Sequence, residues 1–160
     1  MARQRIVVGV DGSVAAQSAL EWALRQARWI DATVLVVTAA DSTVDAGAAP
    51  ESLPEQRRRL TALQQRCIAD ARAAVGTRDL PVIGRELLSA DPLTGLRQVG
   101  RRADLLVVGG GDRPMPASMA ARLRRTGLPV VVVTPPQVAV SDAMPVPTAV
   151  PVAEAVTVGA

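Results

Sequence analysis

Two stretches of this chain bring together residue types that can hold a small polar ligand. Arg5-Ile6-Val7-Val8-Gly9-Val10-Asp11-Gly12-Ser13 and Asp104-Leu105-Leu106-Val107-Val108-Gly109-Gly110-Gly111-Asp112 each run from apolar residues into glycine and aspartate. Glycine lets backbone approach a ligand closely, and a carboxylate accepts hydrogen bonds from hydroxyl or amine groups. Asp11 is a candidate acceptor for a ligand hydroxyl such as that of a ribose; its other reading is a cap for the turn it makes with Gly12 and Ser13. Gly109, Gly110 and Gly111 are candidates for an anion nest of successive N–H groups, against a plain flexible turn. Arg113 could pair with a phosphate or sit solvated in a loop. Ser118 could donate to a phosphate at a helix start or act as an ordinary N-cap.

Stronger chemistry is not expected. The chain has no histidine, the commonest general base and metal ligand. No nucleophile stands beside an evident base, so an efficient enzyme is not the expectation. The single cysteine, Cys67, allows no internal disulfide and fits a reducing, cytoplasmic compartment. Its place on the apolar side of a helical pattern reads as packing.

These residues need elements to position them. Ile6–Val10 reads as a buried strand, Asp11-Gly12 as a turn, and Ser13 as the N-cap of a helix reaching Ile30. Thr33–Ala39 is a second continuous apolar strand, the pattern of a sheet covered on both faces. A loop follows, then a helix from about Pro54 to Val75 with Leu60, Leu63, Cys67, Ala71 and Val75 on one side and its arginines mostly elsewhere. Gly76 stops it. Pro81–Leu88 is a weaker strand, and Asp91-Pro92 opens a helix that turns Leu93, Leu96 and Val99 inward. Leu105–Val108, a short helix over Met119–Thr126 and a strand over Val130–Val133 complete a βαβαβαβαβ order, which predicts right-handed crossovers and a parallel sheet. In such a sheet ligands sit beyond the carboxyl ends of the strands, where the strand order reverses, so the two glycine–aspartate junctions should flank one small-ligand cleft, best suited to a nucleotide.

With 160 residues, the chain suits one domain over 1–136 plus a tail over 137–160. Pro145, Pro147 and Pro151 break any regular element in that tail, which is expected to be disordered. Phe and Tyr are absent, so the core must be built from Val, Leu, Ile and Ala. Trp22 and Trp29, two turns apart on one helix, read as packing residues. The 18 basic residues, all arginine, exceed the acidic ones by only 3, and neither a dense basic patch nor stacking aromatics occur, so nucleic acid is not the expected partner. The basic start is followed by too short an apolar run for a secretory signal, and no apolar stretch approaches the roughly 20 residues that span a bilayer, so no membrane role is expected.

Together, Ile6-Val7-Val8-Gly9-Val10-Asp11-Gly12-Ser13, Ala19-Leu20-Glu21-Trp22-Ala23, Ala90-Asp91-Pro92, Asp104–Gly109 and Pro129-Val130-Val131-Val132-Val133 resemble the universal stress protein family. The resemblance covers about residues 4–134. It implies a Rossmann-like α/β fold, an open five-stranded parallel sheet with helices on both faces. In nucleotide-binding members the aspartate after the first strand meets the adenosine end of ATP, and backbone closing the second strand frames the adenine; those places fall on Asp11 and about Ala39. Their phosphate loop reads Gly, two residues, Gly, nine residues, Gly, then Ser or Thr. Gly109 fits the first glycine, but Asp112 stands at the second, and the Gly-Ser place falls near Pro116-Ala117 or Ala117-Ser118. The loop is several residues short, a carboxylate repels a triphosphate, and Pro114 and Pro116 supply no N–H. The expectation is a stress-related regulatory module that senses ATP or another adenine nucleotide weakly or in an altered mode. Its alternative is a ligand-free module that dimerises and docks partner proteins. The resemblance also implies a homodimer through Val130–Val133.

Overall fold

The structure, a computed structural model, describes residues 3–40, 52–88, 91–110, 122–123, 125 and 127–135. The elements, in chain order, are β1 (Arg5–Gly9), α1 (Val14–Ile30), β2 (Thr33–Ala39), α2 (Leu53–Val75), β3 (Ile83–Leu88), α3 (Pro92–Gly100), β4 (Leu105–Gly109) and β5 (Val130–Val133). Gly111, Arg113, Ser118 and the tail from Gln137 lie outside the described residues, as does most of the expected Met119–Thr126 helix, of which Arg122 and Leu123 are helical.

The five strands form one parallel sheet in the order β3-β2-β1-β4-β5. This is the doubly wound arrangement expected from the alternating pattern: the chain steps outward from β1 to β3, then returns to build β4 and β5 on the other side. The order therefore reverses between β1 and β4, and ligands of such sheets bind beyond that reversal.

Two apolar cores follow from the pleat. Ile6, Val8, Val34 and Val36 face α1 and α2, meeting Leu20, Leu24, Cys67 and Ala71. Val7, Val37, Leu106 and Val108 face the opposite side and meet Leu96 of α3 and Leu123. Every residue of Ile6–Val8 is thus buried, which is why the strand reads as continuously apolar instead of alternating.

Helix ends are fixed by side chains. The Ser13 hydroxyl accepts from the Ala16 N–H at 3.1 Å, and the Asp91 carboxylate accepts from the Thr94 N–H at 3.1 Å. Glu55 reaches back to the Ser52 N–H at 3.1 Å, completing a capping box at the start of α2. Gly76 closes α2 with φ +90°, a conformation that favours glycine.

One packing expectation fails. Trp22 packs against the core, but Trp29 is 85% exposed. Seven residues are slightly less than two full helical turns, so the pair does share a side of α1. However, Trp29 lies beside the end of α2, where Arg28 donates to the carbonyl of Val75, its last residue, and no described residue covers the second indole. The third strand also starts later than expected, at Ile83 instead of Pro81.

Candidate functional site

The carboxyl ends of β1 and β4 come into contact through Gly109. A Cβ on Gly109 would lie 2.3 Å from the carbonyl carbon of Ala15 and 2.5 Å from the nitrogen of Ala16. No side chain fits there, so the first turn of α1 rests directly on the last residue of β4. The two junctions of the sequence are therefore neighbours.

The turn entering α1 is held from inside. Asp11 is exposed, and its Oδ1 accepts the Ser13 N–H at 2.9 Å. Gly12 has φ +86°, and a Cβ there would meet Cδ1 of Leu63 at 2.8 Å. Leu63 of α2 thus lies across the turn, and Gln17 of α1 donates to the carbonyl of Cys67 at 3.2 Å. One Asp11 oxygen serves the turn, and the carboxylate remains open to solvent beside the N-terminus of α1, where the helix dipole favours anions.

Ala39, half-buried, closes β2 beside this turn. Val10 donates to the carbonyl of Val37 at 2.9 Å, and Ala40 donates to the carbonyl of Leu88 at 3.0 Å. Odd-numbered residues of β2 therefore turn their main-chain groups toward β1, and even-numbered ones toward β3. By that alternation the main-chain groups of Ala39 face the notch that opens where β1 ends. Asp11 and Ala39 thus border the same notch.

Gly110 is buried and donates its N–H to the carbonyl of Val133 at 2.8 Å. That donor belongs to the β4–β5 ladder, so a nest must draw on N–H groups further along, in residues outside the described ones. Gly111, Arg113 and Ser118 are among them.

Other residues here were not picked out from the sequence. The hydroxyl of Thr38, 3% exposed, has no hydrogen-bond partner among the described residues, although it sits one residue before Ala39. A buried unpaired hydroxyl is unusual enough to mark the spot. Its only sequence signal was a polar residue near the end of an apolar strand. Gln64, 2% exposed, donates through Nε2 to the carbonyls of Glu86 at 2.9 Å and Val36 at 3.4 Å, pinning α2 to β2 and β3. Burial raises the Cys67 thiol above its ordinary value; Arg66 opposes that, and Asp70 and Asp11 reinforce it. The thiol is buried and free, which suits packing and not reactivity. Among the described residues, no group of three metal-ligating side chains occurs, and no helix is long and apolar enough to cross a membrane.

The model of the universal stress protein family matches residues 2–133 of the chain. No curated protein matches it. Among solved structures, a protein of the universal stress protein family from Burkholderia pseudomallei is similar at 28% identity and TM-score 0.56, covering 81% of this chain and 95% of that one. A universal stress protein in complex with cAMP aligns at 24% identity and TM-score 0.60, covering 84% and 98%. A universal stress protein from Archaeoglobus fulgidus in complex with dAMP aligns at 20% identity and TM-score 0.56, covering 83% and 99%.

Proposed function

The chain belongs to the universal stress protein family, and from that membership we propose that it is a stress-related regulatory module that senses an adenine nucleotide at the Asp11–Ala39 notch. The observation carrying the reading is the contact of Gly109 with Ala15, which brings the β1 and β4 junctions to one place. Two relatives of the same fold hold cAMP and dAMP, ligands with an adenine and one phosphate. A single phosphate also suits this chain, whose shortened loop carries Asp112 and two prolines where a triphosphate would need N–H donors.

In this reading the main-chain groups of Ala39 meet the adenine edge. The free part of the Asp11 carboxylate accepts from a ribose hydroxyl, and the phosphate lies away from that carboxylate, toward Gly109 at the end of β4. The residues here bind and orient; none of them offers a base or nucleophile for turnover.

The test is calorimetry on the whole chain at about 0.1 mM, titrated with AMP, cAMP and ATP, a concentration that reveals micromolar binding. AMP or cAMP should give heat, with ATP weaker. No heat from any of the three sinks the sensing reading, and ATP binding tightest sinks its preference for one phosphate.

A second reading has an observation of its own. β5 lies at the sheet edge, its residues Val130–Val133 are all valine, and Val132 is 42% exposed. An apolar, uncharged edge invites pairing with another copy. A homodimer through β5, in a cytoplasmic setting, accommodates both readings, since a dimer can dock partners with or without nucleotide. Light scattering on the purified chain should give twice the monomer mass; a monomer at about 0.1 mM removes the β5 pairing, since a stable pair has a Kd well below that.

A further inference from the structure

We propose that the other edge of the sheet, β3, together with the groove between β3 and α2, docks an extended acidic peptide as a sixth strand. The main chain supplies the first observation. The carbonyls of Val82 and Leu88 accept from Val34 and Ala40 of β2, at 2.9 and 3.0 Å. Even-numbered residues of β3 therefore turn their main-chain groups inward, and Ile83, Arg85 and Leu87 present theirs to the open edge.

The side chains of those three residues stand on the α2 face of the sheet, because Ile83 pairs with Val34 of the core beneath α1 and α2. They line two clefts along the strand. One, about 310 Å³, lies between Ile68 and Arg72 of α2 and Ile83 and Arg85 of β3. The other, about 280 Å³, lies at the carboxyl end of the strand, between Leu53, Arg57 and Leu60 of α2 and Ala40, Leu87 and Leu88. A strand added at this edge would send every second side chain into these clefts.

Charge selects the occupant. Arg57, Arg72 and Arg85 are exposed, and none of them is in an ion pair among the described residues. No acidic side chain lines either cleft among the described residues. Glu86 stands on the opposite face of the sheet, and Glu55 is held by Ser52. A second copy of this chain would bring arginine against arginine, which disfavours self-pairing of a kind that the all-valine β5 does not resist. A peptide alternating acidic and apolar residues satisfies both the ladder and the clefts. A nucleic acid would meet the charge but has no main-chain N–H and C=O to pair with the strand.

The experiment is fluorescence anisotropy of the full chain with a labelled, capped nine-residue peptide alternating glutamate and valine, in about 50 mM salt so that screening stays weak. Saturable binding is expected below about 1 mM, with no binding of the lysine–valine peptide. N-methylation of the peptide at alternate residues removes the donors of the ladder and should weaken binding at least about tenfold. The R72E/R85E double variant should lose about as much while its melting temperature holds. Equal binding of the N-methylated peptide, equal binding of the lysine peptide, or stronger competition by an oligothymidylate of equal charge overturns the proposal. So does no binding at about 1 mM. If the double variant does not fold, the N-methylated peptide decides on the unaltered protein.

Discussion

Gly109 of β4 and Ala15 of α1 meet main chain to main chain: a Cβ on the glycine would fall 2.3 Å from the Ala15 carbonyl carbon. The residues are 94 positions apart (109 − 15), yet their contact fixes where the first turn of α1 sits over the sheet reversal. The turn of Asp11 and Gly12 leads directly into that end of the helix.

Gly109→Ala should therefore cost stability. Neither the helix backbone nor the strand can yield by a full ångström, so overpacking of about 1–3 kcal/mol is expected. In a thermal melt followed by circular dichroism, this lowers the midpoint by several degrees. An unchanged midpoint would mean that the helix tilts freely away from β4.

Asp11→Ala should weaken AMP binding by about 1–3 kcal/mol, the cost of losing a hydrogen-bond partner at a partly enclosed polar site. Calorimetry of the variant beside the parent measures it. Asp11→Asn keeps an oxygen for the Ser13 N–H and so separates the turn from the ligand: its stability should match the parent while its affinity falls. Parental affinity in both variants would remove Asp11 from the site.

Gln64→Glu should make the fold sensitive to alkali. Its side chain lies buried against the carbonyls of Glu86 and Val36, so a carboxylate there would be desolvated and face two acceptors. The folded-state pKa is then raised above the unfolded value near about 4.3, and the folded chain binds more protons. Stability is fully present below the unfolded pKa and drains as pH rises through the folded one. Urea midpoints from pH 4 to 8 should fall for the variant relative to the parent; parallel curves would place the side chain in water.

Asp91 works in the opposite sense. Hydrogen bonds from Thr94, with the side-chain one the larger cause and the backbone one next, hold its carboxyl below the ordinary value. A depressed folded pKa contributes stability above the unfolded value, and that contribution is lost as pH falls through the folded one. Asp91→Asn keeps a capping oxygen and removes the titration, so its acid-unfolding curve should be less steep than the parent's. Superimposable curves would show that this cap plays no part in acid unfolding.

Much of the fold was legible because its signals are local. Ser13, Asp91 and Gly76 stop and start helices by bonds or backbone angles within a few residues, and each does so where the sequence placed it. Ile6–Val8 and Val34–Val37 declared a sheet covered on both sides by being apolar without alternation. Trp29 was misread because a helical face says which residues share a side, not whether another element packs over each of them. The site was legible only in part: Asp11, Ala39 and Gly109 carry turn and strand-end signals, whereas Thr38 and Gln64 look like ordinary polar residues until burial is known.

The sequence alone determined the elements, their parallel order and the family likeness, since periodicity, caps and crossover handedness act over short spans of chain. Tertiary structure alone decided that Gly109 must be glycine, that the Gly110 donor is committed to Val133, and that the two sheet edges differ. Those facts depend on which atoms meet across the fold: a glycine against a distant helix turn, a carbonyl on the neighbouring strand, an arginine groove beside β3 and bare valines on β5. The ends of β1 and β4, first visible as two glycine–aspartate junctions, thus became neighbours only when α1 settled on β4.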